Sequence, residues 1–161
     1  MPCSSRRLFG LLMGIAVAVA LPDLPVQAEG KLNIVAKFES ANLGLDVVTY
    51  INPTASPSRI ALLGFRSASA RTSFVFSLNE WVSLFDLWAT AVKVQSDSWK
   101  VIGSLTEIGT ADVSLLTVSA GPGVRFAVTS VKGVSITYVL ANADIARFEK
   151  ALYQVKDFLS R

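Results

Sequence analysis

Histidine is absent from all 161 residues. Its absence excludes Ser-His-Asp and Cys-His catalysis and every histidine-ligated metal site. Cysteine occurs once, as Cys3. A single thiol makes no internal disulfide and no cysteine-cluster metal site. Charge is sparse too: 17% of residues are charged and the net is +3. The chain therefore carries neither a polybasic arm nor an acidic tail. Its apolar run Leu8–Leu21 falls short of the roughly 20 residues that a membrane-spanning helix needs. Calcium loops and phosphate loops are missing as well. There is no D-x-D-x-D-G pattern, and Gly121-Pro122-Gly123 lacks the G-x-x-x-x-G-K-[ST] spacing and a following helix. Its glycines fit a tight turn.

What is present begins with an export signature. Arg6 and Arg7 precede the apolar run, and Val26-Gln27-Ala28 has small residues at −3 and −1. Residues 1–28 are expected to be a cleaved signal peptide, leaving 29–161 as one domain that is exported, periplasmic or secreted, with no permanent membrane anchor. Ser5-Arg6-Arg7-Leu8-Phe9 resembles the twin-arginine signal, S-R-R-x-F; the general secretory route is the alternative. Cys3 lies far from the cleavage point and is not read as a lipid attachment site. Removing Arg6, Arg7 and Asp23 leaves 13 basic and 11 acidic side chains, a mature charge of +2.

Beyond residue 30, period-two and helical patterns alternate. Leu32, Ile34, Ala36 and Phe38 fall on one face of an expected strand over Lys31–Glu39, with Lys31, Asn33, Lys37 and Glu39 on the other. Asn42-Leu43-Gly44 reads as a turn. Further strands are expected over Leu45–Ile51, Arg59–Phe65 and Thr72–Phe76. A helix follows over Ser77–Val94. Ser77 and Glu80 form a capping box, and Trp81, Leu84, Trp88 and Ala91 make its apolar stripe. The order then returns: strands over Ser98–Leu105, Asp112–Val118, Val124–Ser130 and Val134–Leu140, the last two joined by Val131-Lys132-Gly133. A second helix is expected over Asn142–Arg161. Asn142 is its cap, Asp144 suits its positive end, and Ile145, Phe148, Leu152, Val155 and Leu159 form its stripe.

The two series superpose at a shift of 64 positions. Trp81 then meets Ile145, Leu84 meets Phe148, Trp88 meets Leu152, Phe74 meets Tyr138 and Leu62 meets Phe126. The pattern predicts an α+β fold: a duplicated ββββα unit, about 29–94 and 95–161, with two antiparallel sheets packed against two amphipathic helices.

The strand-to-helix junctions SFVFSLNEWVSLFDLW and SITYVLANADIARFEKAL carry a resemblance. Together with the duplicated order, they make the chain similar to the whirly and Pur-alpha families of single-stranded nucleic-acid-binding proteins. The resemblance implies self-assembly through the helices and a strand surface that holds single-stranded DNA or RNA. The whirly motif Lys-Gly-Lys-Ala-Ala-Leu is missing; Arg59-Ile60-Ala61-Leu62-Leu63 stands in that region. No binding residue carries over from the family position by position.

Candidate sites follow from residue chemistry. Cations that track phosphates, mixed with rings that stack bases, make a single-strand surface. Lys31, Lys37, Tyr50, Arg59, Phe65, Arg66, Arg71, Lys100 and Arg125 supply that mixture; a solvated strand face carries similar charges. Trp81, Phe85, Trp88, Phe148 and Leu152 are expected in the core or at a homo-oligomer interface. Asp97, Glu107 and Asp112 sit at expected strand ends as a weak acid–base group; a solvated role is the commoner one. No cofactor or metal is expected, and no enzyme. The expected function is an exported binding protein for single-stranded nucleic acid or another extended polyanion. The alternatives are an envelope structural or protein-interaction module, and a periplasmic small-ligand carrier.

Overall fold

Long runs of alternating apolar residues end at short polar turns, so the chain folds back on itself repeatedly. The computed structural model describes residues 30–108, 113–130 and 133–161. The expected signal peptide, Asp112 and the Val131-Lys132 link lie outside them. The first four strands are β1 (Lys31–Ser40), β2 (Leu43–Ile51), β3 (Arg59–Arg66) and β4 (Arg71–Phe76), followed by α1 (Leu78–Ala91). The second series is β5 (Lys100–Ile108), β6 (Val113–Ala120), β7 (Val124–Ser130), β8 (Ser135–Leu140) and α2 (Ile145–Leu159). Each set of four makes an antiparallel meander, in the orders β1-β2-β3-β4 and β5-β6-β7-β8. The duplicated ββββα order and the α+β class are those the pattern predicted.

The start of α1 follows the capping logic. The Ser77 N–H donates to Glu80 Oε2 at 2.7 Å, and the Ser77 hydroxyl donates to the same oxygen at 2.8 Å. The start of α2 departs from expectation. Asn142–Asp144 forms a single 3₁₀ turn, so Asn142 does not cap the α-helix. Asp144 occupies the cap position without a side-chain cap bond and instead pairs with Arg147 at 3.0 Å. That extra turn also delays the helix. Phe74 and Tyr138 keep the 64-residue offset, but α1 opens at Leu78 and α2 at Ile145. Trp81 is fully buried, whereas Ile145 only packs at the margin of the core.

Two further details differ from the simple repeat. The β1–β2 hairpin turns at Ala41-Asn42, because Ser40 pairs with Leu43; Leu43 and Gly44 are already in the strand. Ala41 adopts φ +49°, the left-handed region that disfavours a Cβ. The match of Leu62 with Phe126 is also off by one. Leu63 pairs with Phe74 as Phe126 pairs with Tyr138, so Leu63 is the core equivalent and Leu62 lies on the opposite face.

Each helix packs on the sheet of the other series. α1 lies against β5 and β6, and α2 lies against β1, β2 and β3. The exchange produces one shared interior. Phe148 on α2 meets Phe38 of β1 at 5.5 Å, Trp88 of α1 at 4.8 Å and Phe126 of β7 at 5.2 Å between ring centroids. A single side chain thus touches both sheets and the other helix. Trp81 adds a directed bond: its Nε1–H donates to the Leu152 carbonyl at 3.0 Å. Arg59 ties β3 to the far end of α2, donating to the Phe158 carbonyl at 3.0 Å. A cation at that end complements the helix dipole. At the near end, Arg147 donates to the Lys37 carbonyl at 2.8 Å and lies 4.4 Å from the Phe38 ring centroid.

Candidate binding surfaces

The core takes one face of each sheet and leaves the other outward. A β-bulge decides which residues of β1 face outward. The β1–β2 register shifts between Ile34 and Ala36, so Val35 consumes a residue without a partner. A bulge of one residue exchanges the two faces beyond it. Ala36 and Phe38 therefore face the core as expected, but Leu32 and Ile34 face outward and are 42% and 45% exposed. The uninterrupted alternation expected for β1 is corrected accordingly.

The outer face of the first sheet resolves into four cross-strand rows. Leu32, Tyr50 and Ile60 form the first; Ile34, Val48, Leu62 and Val75 the second. Both are apolar apart from the tyrosine hydroxyl. Lys37, Asp46, Gly64 and Ser73 form the third, and Glu39, Gly44, Arg66 and Arg71 the fourth. One half of the face is thus aliphatic and the other half carries charges of both signs. Glycine lets two side chains lie flat. The Tyr50 ring rests against Gly30, and the Arg66 guanidinium lies across Gly44, with its Cζ 2.7 Å from where a Cβ would stand.

The second sheet has a bulge at the matching strand, between Val101 and Gly103. Its outer face differs in chemistry. Ser104, Thr117, Ala127 and Thr137 make one row, and Thr106, Leu115, Thr129 and Ser135 the next. Hydroxyls bond across the strands, Ser104 to Thr117 at 3.0 Å and Thr129 to Ser135 at 3.3 Å. At one end a third row, Val101, Ser119, Arg125 and Val139, leaves Val101 67% and Val139 44% exposed, and Arg125 stacks on Trp99, 4.6 Å from the ring centroid.

The residues singled out in sequence divide among these places. Phe65 is fully buried and faces the core, so it has no surface on which a base could stack. Its strand is apolar on both faces, which hid its direction. Lys37, Tyr50, Arg66 and Arg71 share the outer face of the first sheet. Arg66 is neutralised there: it donates to both carboxylate oxygens of Asp46, at 3.0 and 3.2 Å, and to Glu39 at 3.2 Å. Those bonds raise its pKa further, Asp46 first and then Glu39. Lys31 and Arg59 flank Ile51 in a separate row at the sheet's end, with Arg59 engaged by α2. Lys100 and Arg125 belong to the second sheet. The nine therefore do not form one cationic stripe.

The helix residues are likewise placed. Trp81, Trp88, Phe148 and Leu152 are buried inside a single chain, which leaves them no area for a subunit interface. Phe85 is half-buried, covered by Tyr153 at 4.8 Å and by Lys156 at 5.5 Å from its ring. Of the carboxylates, Asp97 is exposed. Glu107 accepts the Val75 N–H at 2.9 Å, capping the open edge of β4. Burial raises its pKa above the usual carboxylate range and nearby Glu80 adds to the rise, while the Val75 bond opposes both. Among the described residues no three His, Cys, Asp or Glu side chains cluster as metal ligands, and no helix is long and apolar enough to cross a membrane.

Val48, Ile60 and Val75 were not singled out in sequence, and Leu32 and Ile34 were named there only as the buried side of the first strand. The continuous apolar run in β3 was the available signal, since a strand with one wet face alternates. No protein-family model matches the chain, and no curated protein matches it.

Proposed function

We propose that this is a non-enzymatic binding module whose partner surface is the outer face of the first sheet, and that the partner is protein. One observation carries the reading. Seven side chains in two adjacent rows, exposed Leu32 and Ile34, half-buried Val48, Tyr50, Ile60 and Val75 and buried Leu62 between them, give that face a contiguous apolar half beside a half with paired charges. Contiguous apolar surface of this kind marks interaction sites, and charges at its margin set orientation. The envelope or protein-interaction role expected as an alternative is thus the better supported one, in an exported protein. The test is recovery of native complexes from the source cell with the wild-type chain and with Ile34→Glu. Loss of the complexes with a folded variant is expected. Complexes unchanged by the substitution would contradict the reading.

A second reading has its own observation. The Arg125–Trp99 stack, next to Lys100 at the end of the hydroxyl-rich sheet, offers a ring and cations to single-stranded nucleic acid, the partner implied by resemblance to whirly proteins. Binding of labelled single strands that falls steeply with salt and is lost in Trp99→Ala would support it. No binding at low salt would remove it.

A further inference from the structure

We propose that the occupant of the first sheet's outer face is a second copy of the same chain, stacked face to face about a two-fold axis parallel to the strands. The proposal rests on the reading of that face as the partner surface and commits to one partner for it.

The argument is one of self-complementarity. In a two-fold interface, residue i of one copy meets residue j of the other, and j meets i. An axis parallel to the strands keeps each cross-strand row in line and reverses the strand order. β1 then lies over β4 of the second copy and β2 over β3. In the aliphatic rows, Ile34 faces Val75, Val48 faces Leu62 and Tyr50 faces Ile60. In the charged rows, Glu39 at one edge faces Arg71 at the other. Lys37 faces Ser73. Asp46 faces Gly64, and Arg66 faces Gly44. No charge meets its like, and two of the charged side chains meet glycine, where room is greatest.

Packed sheets stand about 10 Å apart and rotate by roughly 30° on each other, a gap that arginine and glutamate bridge between them. Within one copy Glu39 already leans to Arg66 but stays 67% exposed, so it has surface left for Arg71 of the other copy. An axis perpendicular to the strands would instead set the aliphatic half of one copy partly over its own mirror row and leave the charged halves overhanging in water. The parallel axis uses all four rows.

The experiment is sedimentation of the full chain with two charge reversals, Glu39→Arg and Arg71→Glu. Wild type is expected to dimerise at micromolar concentration. Each variant alone places two like-charge contacts in the interface and should dimerise at least about tenfold more weakly. Mixed in equal amounts, the two variants are mutually complementary. Both contacts between positions 39 and 71 in the mixed dimer then pair an arginine with a glutamate. The mixture should recover the wild-type dimer. Both positions are on the solvent face, so both variants should keep the wild-type circular dichroism spectrum, with the lower midpoint in Glu39→Arg, which also loses the bond to Arg66. A monomeric wild type, variants as dimeric as wild type, or a mixture that stays monomeric would each overturn the proposal. A monomeric wild type whose native complexes are still lost with Ile34→Glu would leave the protein-binding reading standing and give the face to a different protein.

Discussion

The two sheets are built alike on their inner faces and differently on their outer ones. Both are four-stranded meanders, both have a bulge in the first strand, and both send aromatic residues into one interior. Outside, two adjacent rows of the first sheet are apolar from edge to edge, Leu32 to Ile60 and Ile34 to Val75, whereas the second sheet scatters Val101, Leu115 and Val139 among Ser104, Thr117, Arg125, Thr129 and Thr137. The inner faces are held by a shared requirement, since each must fit a helix delivered by the other half. The outer faces carry no such constraint, so difference there reports use. A face whose apolar side chains stand singly among hydroxyls is an ordinary solvated surface. An aliphatic one gains by being covered, at about 25 cal/mol per Å² removed from water.

The shared interior can be broken at Phe148, where both sheets and α1 converge. Phe148→Ala should cost about 3–5 kcal/mol. Because the helices are exchanged, both halves should unfold in a single transition by calorimetry; two separate transitions would show that the halves are independent. Trp81→Phe keeps an aromatic ring but removes the bond to the Leu152 carbonyl, and should cost at least about 1 kcal/mol in a denaturant titration. The left-handed Ala41 offers a gain: Ala41→Gly should raise stability by about 0.5–1 kcal/mol, read as a higher denaturant midpoint.

Glu107 sharpens the seam between the two sheets by pH. Its folded pKa is raised by burial, so its stabilising contribution is complete below the unfolded value and lost as pH rises through the folded one. Wild type should therefore gain thermal stability, relative to Glu107→Gln, as pH falls from neutral toward about 4.3, the ordinary glutamate value. Parallel melting curves across that range would contradict the assignment. The smallest effect is expected on the hydroxyl face, where Thr117→Ala should change stability by no more than about 0.5 kcal/mol.

Element order, the capping of α1 and most of the core were legible in sequence because they depend on local periodicity. What escaped depends on counting or on long-range packing. Leu32 to Phe38 alternates except at Ile34-Val35-Ala36, and that short apolar run was the one hint that Val35 drops out of register and turns Leu32 and Ile34 outward. In β3, apolar residues on both faces made Leu62 and Leu63 interchangeable to any periodicity argument, which also placed Phe65 at the surface. The exchange of helices between sheets has no local signature. Nor does the engagement of Arg59 by a carbonyl ninety-nine residues away. Charged residues could be named from sequence, but which of them are already paired is a property of the fold.

The comparison of the two outer faces is tested most directly by one matched pair of substitutions. Ile34 and Leu115 are exposed to similar extents, 45% and 41%, on the first and second sheets. Sedimentation of Ile34→Glu and Leu115→Glu, each checked for an unchanged melting midpoint, should show self-association abolished by the first and retained in the second. Equal behaviour of the two variants, or loss of association only in Leu115→Glu, would contradict the assignment of the partner surface to the first sheet.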